Sequence, residues 1–238
     1  DEEDIENLVI QQIEFCNIVL LNKAAEVTPE ELGRVRSIVR ELQPKAEIID
    51  CNFGDVELDK ILNTNMFDFD DVASSAKWVE EVEKHHDEDD DDDDDDEHEH
   101  EHHHHHHHHH HDEGEAEEYG IGTYVYYRRR PFDLGLFDEF VARKWPKGII
   151  RAKGICYFRD EQETCYVFEQ AGKQVSIRNA GQWYATMPKA ELERFMAQNP
   201  GVKRDWDEQY GDRMQKLVFI GQHLDKELIA GELDKCIV

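Results

Sequence analysis

Residues 4 to 15 space Ile5, Leu8, Val9 and Ile13 on one helical face, and apolar side chains then run almost unbroken from Cys16 to Leu21. The first spacing predicts a helix and the second a strand. Because that strand does not alternate, it is apolar on both faces and belongs in a parallel sheet covered by helices on both sides. Thr28-Pro29-Glu30-Glu31 then supplies an N-cap Thr, a Pro at the first helical position and a Glu at the third, which starts a helix. Leu32, Val35, Ile38, Val39 and Leu42 form its apolar stripe, which stops before Pro44, and Ala46 to Cys51 predict a second short strand. The unit is βαβ, with parallel strands. Two such strands cannot bury both faces alone, and the chain starts with Asp1 inside a helix, so more of this sheet is expected upstream. Without the rest of that sheet, this chain is expected to aggregate or fray at the exposed strand edges of residues 1 to 65.

Residues 53 to 70 suggest one short helix and a connector, and Val72 to Glu83 another helix. From 85 to 118 apolar side chains almost disappear, so nothing offsets the entropy of ordering, and a disordered boundary is expected there. The pattern resumes at Tyr119. Tyr119 to Arg129 reads as a strand, Leu134 to Lys144 as a helix, and Ile149 to Arg159, Thr164 to Gln170 and Lys173 to Arg178 as successive strands, the last two joined at Ala171-Gly172. Helical stretches follow Pro188 to about Gln209, then a strand from Lys216 to Ile220 and an amphipathic helix from Asp225 to Cys236. That order predicts an α+β region with helices on one face of a mainly antiparallel sheet. The chain thus divides into an α/β portion at 1–70, a charged linker at 71–118 and an α+β domain at 119–238.

Composition narrows the partners. The 56 acidic against 27 basic side chains give a formal charge of −29, which disfavours nucleic acid and anionic membranes. Much of the excess is local, because 18 of the acids fall between residues 87 and 118, where there is no Lys or Arg. No apolar run approaches the roughly 20 residues needed to span a bilayer, and DEEDIEN is unlike a signal peptide. A soluble, cytoplasmic protein is expected. Five cysteines, with no CxxC pair among them, fit a reducing compartment better than a disulfide framework.

Two features carry candidate chemistry. Asn22 and Lys23 follow the first strand, and in open α/β sheets ligands sit beyond the carboxyl ends of strands. The pair reads either as a base-binding loop or as an ordinary turn with an exposed Lys. In the NKxD motif of GTPases the Asn and Lys hold guanine while the Asp accepts from its two N–H groups, and here that Asp is replaced by Ala25. Guanine preference is therefore weakened unless Glu26 substitutes. No GxxxxGK[ST] phosphate loop occurs, so GTP hydrolysis is not expected of this chain alone, and no catalytic residue is assigned.

The second feature is His85-His86, then eleven uninterrupted acids from Asp87 to Glu97, then His98, His100 and the run His102, His103, His104, His105, His106, His107, His108, His109, His110 and His111. Neutral imidazole ligates zinc and other divalent transition metals, and a flexible run presents several at once. The flanking carboxylates concentrate cations, and protons should compete with metal as pH falls. The internal position and the His98-Glu99-His100-Glu101 alternation set the tract apart from an added tag, though a solvated linker that binds metal incidentally stays open. Arg128-Arg129-Arg130 and Arg151-Ala152-Lys153 are the main basic clusters, and solvated strand ends are the simpler reading of both. Trp145, Trp183 and Trp206 read as packing residues and His223 as structural or exposed.

Arg130-Pro131-Phe132, Arg151-Ala152-Lys153-Gly154, Ala180-Gly181-Gln182-Trp183 and above all Gly211 through Gly221 closely resemble the C-terminal domain of CobW-like GTPases. Ahead of them, Gln11 to Phe15 leading into Asn22-Lys23 looks like the end of the same family's GTPase domain, and His-rich linkers are frequent there. The resemblance implies the C-terminal part of a P-loop G3E GTPase domain followed by a CobW C-terminal domain. It also implies a metallochaperone, most often for zinc and sometimes for cobalt or iron, that uses GTP with Mg²⁺ and serves metal-requiring client proteins. The family's P-loop, Walker B aspartate and CxCC motif do not occur in this sequence, and Asp133 stands where the family often has a metal-ligating His.

Overall fold

The computed structural model describes residues 2–66, 76–83 and 119–238. Helix α1 (Glu2–Glu14) leads into strand β1 (Ile18–Leu21), helix α2 (Pro29–Leu42) crosses over, and β2 (Glu47–Asp50) returns parallel to β1, with Ile18 opposite Glu47 and Leu21 opposite Asp50. The start of α2 is the capping box its sequence predicts. Thr28 Oγ1 accepts the Glu31 N–H at 3.2 Å, and the Glu31 carboxylate accepts the Thr28 N–H at 2.9 Å. At the other end the Arg40 guanidinium donates to the carbonyls of Pro44 and Ala46, which fixes the turn into β2.

The short helix expected within 53–70 is reduced to one 3-10 turn, Leu58–Lys60. Asn63 and Asn65 both hold φ near +55°, and left-handed residues so closely spaced stop a helix from propagating. Of the next predicted helix, α3 (Lys77–Glu83) is present, and residues 67–75 lie outside the described residues.

The remaining strands are β3 (Ile121–Arg128), β4 (Ile149–Cys156), β5 (Thr164–Ala171), β6 (Gln174–Gln182) and β7 (Gln215–Gln222). They form one sheet in the order β3-β7-β4-β5-β6, every neighbour antiparallel. The β5–β6 hairpin turns through Gly172, whose φ of +57° suits a tight turn. Gly154 lets β4 approach β7, since a Cβ there would lie 2.0 Å from the Lys216 carbonyl oxygen.

Alternation along the strands sorts the two faces. Tyr126, Ala152, Phe168, Leu217 and Phe219 point to one side. There they meet Phe137 and Phe140 of α4 (Leu134–Arg143) and Ile229 and Leu233 of α7 (Lys226–Asp234) in an aromatic core. The two helices of residues 119–238 that pack on the sheet thus lie on one face, as the sequence predicts, and the opposite face is covered by helices that precede the domain. Ile10 of α1 and Leu42 of α2 pack on Ala171 and Ile220, and α3 lies across β4 and β7. The helices α5 (Lys189–Gln198) and α6 (Pro200–Arg204) stand apart, and α5 has no fully buried residue. Among the described residues no helix is long and apolar enough to cross a membrane.

Candidate functional site

Strands β1 and β2 end side by side, and their following loops are laced together. The Cys51 N–H donates to the Leu21 carbonyl at 3.0 Å, and the Ala24 N–H donates to the Cys51 carbonyl at 3.2 Å. Two asparagine side chains then cross in opposite directions. Asn22 Oδ1 accepts the Gly54 N–H at 3.1 Å, and Asn52 Oδ1 accepts the Ala25 N–H at 2.9 Å. With its oxygen engaged, Asn22 makes no hydrogen bond through its amide NH₂ among the described residues. Lys23 is exposed with φ 63°, and Phe53, with φ 54°, is 97% exposed. An amide donor, a lysine stem and an exposed aromatic ring thus follow the carboxyl ends of these two paired strands. The position of Ala25 supplies only a backbone N–H, already used by Asn52.

Asn52, Phe53 and Gly54, which the hydrogen bonds tie to the Asn22–Ala25 loop, were not legible as its neighbours in the sequence. The signal that would have found them is positional, since they follow β2 at the same carboxyl edge as Asn22.

All the candidate metal ligands, His85, His86, His98, His100 and His102 to His111, lie outside the described residues. Among the described residues no group of three or more His, Cys, Asp or Glu side chains is placed to hold a metal ion. The cysteines are poor ligands as they stand. Burial pushes the Cys165 thiol up to about 12 and the Cys236 thiol up to about 11, so both stay protonated at neutral pH.

The point from which the His tract departs is anchored. Helix α3 ends at Glu83, two residues before His85, and two lysines of the sheet hold it. Lys153 Nζ sits 4.0 Å from the centroid of the Trp78 ring, and Lys216 Nζ donates to the Val82 carbonyl at 2.9 Å. Burial draws the Lys153 ammonium below its ordinary value, against the opposing pull of Glu14 and Glu169.

This overturns the reading of Arg151 and Lys153 as solvated strand ends. Arg151 is 1% exposed, and its guanidinium forks onto the fully buried Glu14 carboxylate, with Nε–Oε1 at 2.7 Å and the second bond at 3.0 Å. It also donates to the Gln170 carbonyl at 3.2 Å and to Glu169 at 3.3 Å. Glu169 gathers Lys153 and Arg178 as well, at 3.3 and 3.1 Å. Burial raises the Glu169 carboxyl, but Lys153, Arg151 and Arg178 together bring it below its ordinary value. Glu14 closes α1, and its carbonyl accepts from the buried Gln43 side chain at the end of α2. One polar cluster thus joins both N-terminal helices and the sheet that clamps α3.

The other singled-out residues are structural. Asp133 caps α4 by accepting the Leu136 N–H and pairs with Arg159 at 3.0 Å. Trp145 belongs to the core, and the Trp183 indole donates to the Thr164 carbonyl at 3.0 Å. In the Gly211–Gly221 stretch, Asp212 accepts the N–H groups of Tyr184 and Ala185 at 2.7 and 2.8 Å. Buried Gln215 donates to the carbonyls of Arg130 and Tyr157. His223 is exposed and holds φ 51°.

Residues 121–237 match the family described as the cobalamin synthesis protein CobW C-terminal domain. The whole chain is 29% identical to the zinc-regulated GTPase metalloprotein activator 1 of Dictyostelium discoideum and covers 45% of that protein. It therefore spans about half the length of this curated relative. Among solved structures, the Zn(II)-bound YjiA GTPase from E. coli and a Zn(II)-bound triple mutant of YjiA GTPase align with all of this chain and 57% of theirs. The identity is 14% and the TM-score 0.39 in each case, a likeness too distant to bear on the site.

Proposed function

We propose that this chain, whose residues 121–237 match the CobW C-terminal domain, is the C-terminal portion of a CobW-like, GTP-dependent metallochaperone that delivers a divalent metal to client proteins. Zinc is the first candidate for the cargo, in keeping with the name of the curated relative. The observation that carries the reading is the placement of fourteen histidines directly after an anchored helix. His85, His86, His98, His100 and His102 to His111 capture the metal, and the neighbouring acids raise its local concentration.

In this reading GTP with Mg²⁺ is held mainly by the rest of a longer protein, and Asn22 and Lys23 cap the base. Residues 1–70 are the end of the GTPase domain, 71–118 the metal-binding linker and 119–238 the CobW C-terminal domain. The protein works in the cytoplasm on metal-requiring clients, without nucleic acid or membrane. Nucleotide state reaches the tract through the contacts of α1 and α3 with the common sheet.

A second reading, a metal-storage or interaction module indifferent to nucleotide, is favoured by Ala25, which leaves the base without a carboxylate acceptor. A competitive zinc titration separates the two, run on the intact chain and on a variant with His102 to His111 replaced by Ser, each with GTP and with GDP. Loss of zinc binding in the variant supports the tract as ligand. A zinc affinity that changes with nucleotide supports coupling through this chain, and an unchanged one supports the storage reading.

A further inference from the structure

We infer that the end of β3 is a docking site for an extended acidic peptide segment of a partner protein. Arg128, Arg129, Arg130, Asp234 and Ile237 line a cleft of about 360 Å³ between the end of β3 and the last turn of α7. Arg128 ends β3, and Arg129 and Arg130 follow it in a bend. Arg129 is engaged within the fold, donating to the Asp205 carbonyl at 2.7 Å and to those of Gly211 and Arg213 at 3.4 Å. Arg128 lies 5.0 Å from the Tyr126 ring centroid and forms an ion pair with Asp234 at 2.9 Å. Arg130 is exposed, and its guanidinium has no partner among the described residues.

The backbone beneath these side chains is built rather than loose. The Tyr157 hydroxyl donates to the Arg129 carbonyl at 2.5 Å, and the Gln215 amide donates to the Arg130 carbonyl at 3.1 Å, both from buried residues. Pro131 biases Arg130 toward extended backbone. The guanidinium roots are therefore held before any ligand arrives, which lowers the entropy of binding.

Three observations select the ligand. Guanidinium forks suit carboxylates, and Asp234 already occupies one of the two forks in this cleft. Arg128 and Arg130 both line the cleft, so two guanidinium groups can meet neighbouring carboxylates of one partner segment. Strand β3 is an edge of its sheet, and Ile237 gives the cleft an apolar wall. In a chain of charge −29 this local reversal of sign directs where an acidic partner can approach.

The test is a fluorescence-anisotropy titration of a labelled Glu-Ala-Glu-Ala-Glu peptide and its Gln-Ala-Gln-Ala-Gln counterpart against the full chain. Arg130→Gln, Arg128→Gln, Asp234→Asn and, as a control of equal charge change on α5, Arg194→Gln are compared, each checked for folding by circular dichroism. Arg130→Gln should weaken the acidic peptide roughly fivefold while Arg194→Gln leaves it unchanged. Asp234→Asn should tighten binding, because it frees Arg128 from its internal carboxylate while keeping an acceptor for the Tyr126 hydroxyl. Absence of saturable binding, equal losses in Arg130→Gln and Arg194→Gln, or no tightening in Asp234→Asn overturns the proposal. Displacement by inorganic phosphate at the same concentration as unlabelled peptide also overturns it, in favour of a small-anion site.

Discussion

Removing one partner of the Glu14–Arg151 pair should be far more damaging than removing both. Glu14 is completely buried and Arg151 is 1% exposed, and the two meet through a two-point fork. In Arg151→Met the Glu14 carboxylate stays in the interior with no compensating charge within the fork. Breaking a buried pair in this way costs about 3–5 kcal/mol, a large share of the roughly 5–15 kcal/mol that holds a typical domain together. Glu169 retains Lys153 and Arg178, so the loss centres on Glu14. In Glu14→Met/Arg151→Met both desolvation costs vanish, and stability should return to within about 1 kcal/mol of the parent or exceed it. Urea unfolding followed by circular dichroism gives the free energies. Amide exchange over Glu2–Glu14 tells whether α1 undocks ahead of the sheet. A single variant that loses less than about 1 kcal/mol, or a double variant as unstable as the single, would show that the pair is effectively solvated and the reasoning wrong.

Glu169 makes the same cluster sensitive to acid. Its folded-state pKa lies below the ordinary 4.5, so its stabilising effect is complete above pH 4.5 and is lost as pH falls through the folded value. The urea midpoints of the parent and of Glu169→Gln should differ by a constant amount above pH 4.5 and converge below it. Asp212→Ala strips acceptors from the Tyr184 and Ala185 N–H groups and should cost about 2 kcal/mol, seen as a lower melting temperature and faster exchange at those two amides. Thr28→Ala removes half of the capping box and should cost about 1 kcal/mol, measurable as a lower urea midpoint with Thr28→Ser as the near-neutral control.

What could be read along the chain was whatever depends on near neighbours. The start of α2 follows from Thr28, Pro29 and Glu31, and the β5–β6 hairpin from two alternating runs around Gly172. The metal binding proposed for the tract rests on composition alone, because adjacent imidazoles can supply ligands whatever path the backbone takes. The family resemblance was legible too, since Gly154, Asp212 and Gln215 sit in motifs whose spacing the close crossing of β4 on β7 and the Tyr184 turn require.

Tertiary structure alone decided where charge is buried and which loops meet. Arg151 has the composition of a solvated strand end, and it becomes a core residue because Glu14 arrives from 137 positions away. Desolvation is set by everything that surrounds a group in space, and a local window holds almost none of it. The same holds for Asn52 and Phe53, which join Asn22 and Lys23 only because parallel pairing of β1 with β2 ends both strands at one edge. Sequence therefore determined the elements and the chemistry they carry. The long-range packing of α1, α2 and α3 on the sheet determined which of those residues act together.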